Sequence, residues 1–164
     1  MRKMQKCIIY LLFTGVISFV LGRILPKSWF KEETILFRPF MFEKEGKLYK
    51  KIGIHKWQNR VPDMSRVFKN IMPVKKVDKD IQEKLPDMVR ETCVAELIHV
   101  LLCFSGLYCI RIWKGIGGKI IAILNVLGNI PFILIQRYNR PRFLCLLRKM
   151  KEGKRKNACI DIEL

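Results

Sequence analysis

The stretch "ETCVAELIHVLLCFSGLYCIRIWKGIGGKIIAILNVLGNIPFILIQRYNRPR", residues 91–142, decides the fold. It holds two apolar runs, Cys93 to Ile110 and Ile116 to Ile135, each close to the roughly 20 residues that a helix needs to cross a bilayer. Between them "RIWKGIGG" offers glycines for a turn and Trp113 for the interface, so the two runs read as a helical hairpin. The second run closes on "QRYNRPR" (136–142), with three arginines in six residues. One or two lysines would anchor a helix; this cluster is more specific than anchoring requires.

Working outward, residues 7–22 ("CIIYLLFTGVISFVLG") form a third apolar block behind a basic leader of Arg2, Lys3 and Lys6. No small-x-small site follows it, so it reads as an uncleaved anchor or first span in preference to a signal peptide. Residues 26–90 are polar, apart from "ILFRPF" (35–40), which is too short to span and fits an interfacial or re-entrant segment. The following "FEKEGKLYKKIGIHKW" (42–57) interleaves lysines with apolar residues, as a strand-like or amphipathic element on an anionic surface does. Residues 143–164 alternate apolar and basic residues and then become nearly all charge, a basic membrane-surface tail. The expected architecture is an all-α integral membrane protein. It comprises an N-terminal membrane helix (1–25), a cytoplasmic or interfacial region (26–90), a transmembrane hairpin with a polar pocket (91–142) and the tail (143–164).

Composition agrees. A chain of 164 residues with 50% hydrophobic content and a net charge of +18 points to membrane or nucleic acid, and the gathering of apolar residues into long blocks favours the membrane over nucleic acid. The six cysteines form no CxxC pair and His55 and His99 lie far apart, so the pattern offers no metal site and no disulfide framework. Orientation is open. The Lys/Arg excess after Gln136 places that end in the cytoplasm, while the basic leader favours the same side, which three simple spans do not allow. Either the N-terminus lies outside, or the region around Ile35 adds a pass or re-entry.

Glu96 and His99 are ionisable residues in or at the edge of a span, a costly placement unless they are paired or solvated. Thr92, Glu96, His99, Cys103 and Gly106 share one helical stripe, and Gly118, Ala122, Asn125, Asn129 and Gln136 form another on the next helix. Folding the hairpin at Gly115 sets His99 level with Phe132 and Glu96 level with Ile135, and Pro131 is expected to open a polar cavity there. A carboxylate beside a histidine suits a general base, and arginines with Asn and Gln amides suit phosphate, carboxylate or sugar ligands. The bland alternative is an interhelical polar clamp with headgroup-anchoring arginines.

"FEKEGKLYKKIGIHKW" (42–57), "ETCVAELIH" (91–99) and "NIPFILIQRYNRPR" (129–142) resemble the glycosyl-4,4'-diaponeurosporenoate acyltransferase family, small bacterial membrane proteins of staphyloxanthin-type carotenoid biosynthesis. The resemblance covers most of the chain beyond Trp29. It implies transfer of a fatty acyl group to a sugar hydroxyl of a carotenoid glycosyl ester at the cell membrane, and the Lys/Arg excess after Gln136 puts the site near the cytoplasmic face. On that reading His99 removes the hydroxyl proton, Glu96 orients the imidazole, and Asn129 or Gln136 donates to the oxyanion. Arg137, Arg140 and Arg142, with Tyr138 and Asn139 between them, hold phosphates or the acceptor headgroup, and Lys56 and Trp57 close the pocket. The donor is an acyl thioester, acyl-CoA or acyl carrier protein, used as co-substrate with no bound cofactor. No GxSxG elbow or HxxxxD motif is present. The competing readings are a non-catalytic scaffold that binds anionic lipid, and a different lipid-modifying transferase using the same pocket.

Overall fold

The computed structural model of the chain describes residues 2–38, 40–41, 43, 47–58, 61 and 81–160. Among them every regular element is helical: α1 (Lys3–Ile24), a 3-10 turn (Lys27–Trp29), α2 (Lys47–Lys51), α3 (Ile54–Trp57), α4 (Ile81–Gly106), α5 (Cys109–Ile112) and α6 (Ile116–Ile160). Three stretches, Lys3–Ile24, Lys84–Ile112 and Ile116–Met150, are long and apolar enough to cross a membrane. The all-helical membrane architecture expected from the sequence is the one observed. The strand-like alternative for residues 42–57 is not; where this stretch is described it forms the short helices α2 and α3.

α1 carries basic Arg23 in its last turn, where the helix dipole favours a cation, and stops at Leu25 because Pro26 cannot continue it. The helix packs on α4 in the opposite direction. The Cys7 thiol donates to the Cys109 carbonyl at 3.8 Å, the Tyr10 hydroxyl donates to the Ser105 carbonyl at 3.1 Å, and Gly22 lies against Ile98. The amino terminus therefore sits beside the hairpin turn, and the end of α1 beside the first turns of the hairpin. Most of its other faces expose Ile, Leu, Val and Phe, the surface a lipid-facing helix presents.

The hairpin turns through Gly115, whose φ of 110° belongs to the region that glycine tolerates and other residues avoid. Gly118 is required for a different reason, since a Cβ there would collide with the carbonyl oxygens of Trp113 and Cys109. α6 then returns along α4 and continues without a break through Pro131 and Pro141 to Ile160, so the second span and the tail are one helix. Residues 30–38 form turns with no regular helix. They fold back over the end of the bundle, where Phe30 and Phe37 pack with Cys93, Val94 and Ile98. A second small core joins Tyr49 and Ile54 to Tyr138, with Trp57, Leu134 and Ile135 around it.

Candidate active site

Along the seam of α4 and α6 the two polar stripes face each other. Asn125 donates its amide to the Leu102 carbonyl at 2.8 Å and lies so close to Gly106 that a Cβ there would overlap its side chain. One turn on, Asn129 donates through Nδ2 to the Asn125 carbonyl at 2.8 Å, which turns its Oδ1 toward α4. Nδ1 of His99 lies 2.8 Å from that oxygen, and the imidazole stacks on Phe132 with centroids 4.5 Å apart and planes 9° off parallel. An oxygen only accepts, so Nδ1 is the donor nitrogen, and in the neutral ring Nε2 then keeps its lone pair. The chain of amides thus fixes both the orientation and the tautomer of His99.

The sequence suggested that Glu96 would perform that service, but the structure uses it differently. Oε1 of Glu96 accepts from Nη1 of Arg137 at 2.7 Å and Oε2 accepts from Nη2 of Arg140. Arg137 also donates to Glu43 through Nε at 2.8 Å and to the Arg38 carbonyl at 3.2 Å. Arg140 donates to the Thr92 hydroxyl at 2.9 Å, the Thr92 carbonyl at 3.1 Å and the Phe37 carbonyl at 2.7 Å. The side chains are nearly sealed from solvent: 3% exposed for Arg140 and Glu43, 5% for Glu96 and 10% for Arg137.

Two guanidinium groups and two carboxylates make a buried cluster of zero formal charge, the condition under which ionised groups are tolerated away from water. Its chemistry is that of a clasp. The arginines stand on α6, Glu96 and Thr92 on α4, and the carbonyls of Phe37 and Arg38 with Glu43 belong to the folded-back segment. Phe40 and Phe37 add ring faces 4.5 Å and 5.4 Å from the Arg137 and Arg140 guanidinium carbons. The Tyr49 hydroxyl abuts Glu43, and burial followed by that carboxylate raises its pKa above the ordinary tyrosine value.

Of the other residues singled out in the sequence, Gln136 is half-buried one turn beyond Phe132 on the same face of α6. Tyr138 is buried in the second core, Asn139 is half-buried, and Arg142 is exposed with its guanidinium carbon 4.9 Å from the Tyr138 ring. Trp57 packs against the same core, while Lys56 projects into solvent. A small cleft opens beside the clasp between Glu32, Glu43, Pro141 and Leu144. This cleft lies at Pro141, not at Pro131, where the sequence placed a polar cavity. Glu43 was not anticipated, although charge balance carried a signal, because one glutamate cannot neutralise two buried arginines.

A helical membrane protein with an amide-held histidine and a charge-neutral arginine–glutamate clasp at one end of its hairpin is the class that fold and site define. The sequence profile of the glycosyl-4,4'-diaponeurosporenoate acyltransferase family matches residues 26–149. Proteins of that name from Staphylococcus aureus strains bovine RF122 / ET3-1, N315 and NCTC 8325 / PS 47 are 33% identical over 150 residues, covering 88% of this chain and 88% of each relative. No solved structure matches the chain. The chain belongs to the glycosyl-4,4'-diaponeurosporenoate acyltransferase family, and is therefore an acyltransferase.

Proposed function

We propose that the chain moves a fatty acyl group from an acyl thioester, acyl-CoA or acyl carrier protein, to a hydroxyl of a glycosylated membrane lipid. The names of its relatives point to a carotenoid glycosyl ester as acceptor. The observation that carries the reading is the 2.8 Å contact of His99 Nδ1 with the oxygen of Asn129, which leaves Nε2 of the neutral ring to act as base. Nε2 takes the proton of the acceptor hydroxyl as its oxygen attacks the thioester carbonyl. As the tetrahedral adduct collapses the C–S bond breaks, and the imidazolium returns the proton to the departing thiolate. Gln136, on the same face as Asn129 and Phe132, is assigned to the oxyanion.

Arg137 has three of its five N–H groups engaged among the described residues, and Arg140 has its Nε and both terminal nitrogens engaged. With two carboxylates beside them they carry no net charge toward a ligand. Binding of donor phosphates or the acceptor headgroup then falls to Arg142, Asn139 and Lys56 at the surface, with Arg137 turning its remaining donors to the cleft. Tyr138 and Trp57 support that surface from beneath.

The site end of the bundle is assigned to the cytoplasmic face. Among the described residues Arg2, Lys3, Lys6, Arg111, Lys114 and Lys119 lie at the opposite end, while the basic residues from Arg23 to Lys56 and from Arg137 onward give the site end the larger share, which stays in the cytoplasm. The amino terminus then lies outside.

The test is thioester-dependent acylation by purified protein, read by mass spectrometry of the lipid. A product heavier by one acyl chain, absent with His99→Ala, supports the reading. An unchanged product with that variant removes the histidine from the chemistry.

A further inference from the structure

The folded-back segment has an outer face that the clasp does not use. Met41 is 99% exposed, Ile35 90%, Trp29 74%, and Leu36 and Phe40 51% each. Five large apolar side chains on 13 residues of loop are not a surface that water tolerates without a partner. They sit among charges of both signs: Lys31, Glu33 and Arg38 are exposed, Glu32 is half-buried, and Lys27 pairs with Glu91 at 2.7 Å. The segment follows directly on α1, whose last residue, Ile24, is 71% exposed and closes the lipid-facing belt. Apolar side chains interleaved with charged ones, continuous with a membrane belt, have the composition of an element lying in the headgroup region.

We propose that the outer face of residues 29–41 is a membrane-docking ledge that sinks Trp29, Ile35, Leu36 and Met41 into the boundary between headgroups and acyl chains. Lys31 and Arg38 meet phospholipid phosphates above them. Phe40 joins the two sides, since its ring is half-exposed and also carries the Arg137 guanidinium. The inner side of the same segment supplies the Phe37 and Arg38 carbonyls and Glu43 to Arg140 and Arg137. The bilayer and the clasp therefore hold one segment from opposite sides, and the cleft beside the clasp opens next to the leaflet, where a lipid acceptor resides. The ledge stands whether or not His99 is the base, because none of its residues takes part in proton transfer.

The experiment uses full-length protein with Trp57→Phe and Trp113→Phe, leaving Trp29 as sole fluorophore. It is reconstituted in vesicles of phosphatidylcholine and phosphatidylglycerol, with or without bromine on the upper acyl carbons. A docked ledge gives blue-shifted emission, loss of most of that emission in brominated vesicles, and protection from aqueous iodide. Adding Ile35→Glu and Met41→Glu, both at positions free of internal packing, should restore iodide quenching and abolish bromine quenching while the helical circular dichroism stays unchanged. Emission at the aqueous wavelength with free access to iodide overturns the proposal. Blue-shifted emission that bromine leaves untouched, with cross-linking between copies, also overturns it, since another protein chain would then cover the ledge.

Discussion

His99 and Asn129 face each other across the hairpin with Nδ1 and Oδ1 2.8 Å apart, and the amide is itself tied to the Asn125 carbonyl. A ring held in this way has one basic nitrogen in one orientation. Replacing it by alanine leaves the hairpin's remaining contacts in place. His99→Ala should insert normally and lose on the order of a hundredfold in acyl transfer, the usual worth of a positioned base. Turnover of purified variant, with folding followed by circular dichroism, checks it.

Asn129 is a positioning residue, and its substitution should read differently. Asn129→Leu frees the ring to rotate and change tautomer, lowering kcat by less than the roughly hundredfold of His99→Ala while KM stays near wild type. Asn129→Asp keeps the acceptor and adds a charge that favours the imidazolium. The acid limb of its pH–rate profile should then move to higher pH. A purely structural asparagine would leave that limb where it is.

Glu96 separates stability from chemistry. Glu96→Gln leaves Arg140 without a carboxylate partner in a buried cluster, and removing one member of such a pair costs about 3–5 kcal/mol. Thermal unfolding in detergent should show that loss. A Glu96→Gln protein of wild-type stability that had lost turnover would return the carboxylate to the reaction itself.

Arg140→Lys preserves charge and removes the planar fork that reaches Thr92, Phe37 and Glu96 together. Each charge-assisted hydrogen bond lost is worth about 1.5–3 kcal/mol, so this variant should unfold at markedly lower temperature. Arg137→Lys, at the more open edge of the cluster, should cost less. Equal and negligible effects for both would mean that anchoring by charge alone suffices.

Tyr49 supplies a dependence on alkali. Its folded pKa is raised, so the folded chain binds the phenolic proton more tightly than the unfolded chain. That contribution is whole below the ordinary tyrosine pKa and is lost as pH rises through and beyond it. Tyr49→Phe should flatten this part of the alkaline unfolding profile, as measured by circular dichroism against pH.

The hairpin was legible because apolar length and the two polar stripes are both properties of single helices, and the level of His99 with Phe132 followed from helical rise alone. The partner of Glu96 was not, because a stripe says which residues share a face and not how far a side chain reaches. Arginine at positions 137 and 140 is long enough to reach back along α6 and capture the carboxylate from the shorter imidazole. Glu43 and the Phe37 and Arg38 carbonyls escaped for another reason. They lie 94 to 103 residues from the arginines that they meet, in a segment whose folding back is written in no local periodicity.

The clasp also fixes an order of assembly. Glu96 leaves the ribosome 41 residues ahead of Arg137, an interval of about 2–8 s at ordinary rates of synthesis, and Glu43 precedes it by 94 residues. Both carboxylates are therefore made first and wait, near the water at the membrane edge, for cations that arrive with the last span. A chain halted before Arg137 has every residue of α1 and α4 and the apolar contacts of Phe30 and Phe37 with them, yet lacks the cations that tie the folded-back segment to Glu96. Completion of α6 is the event that closes the clasp.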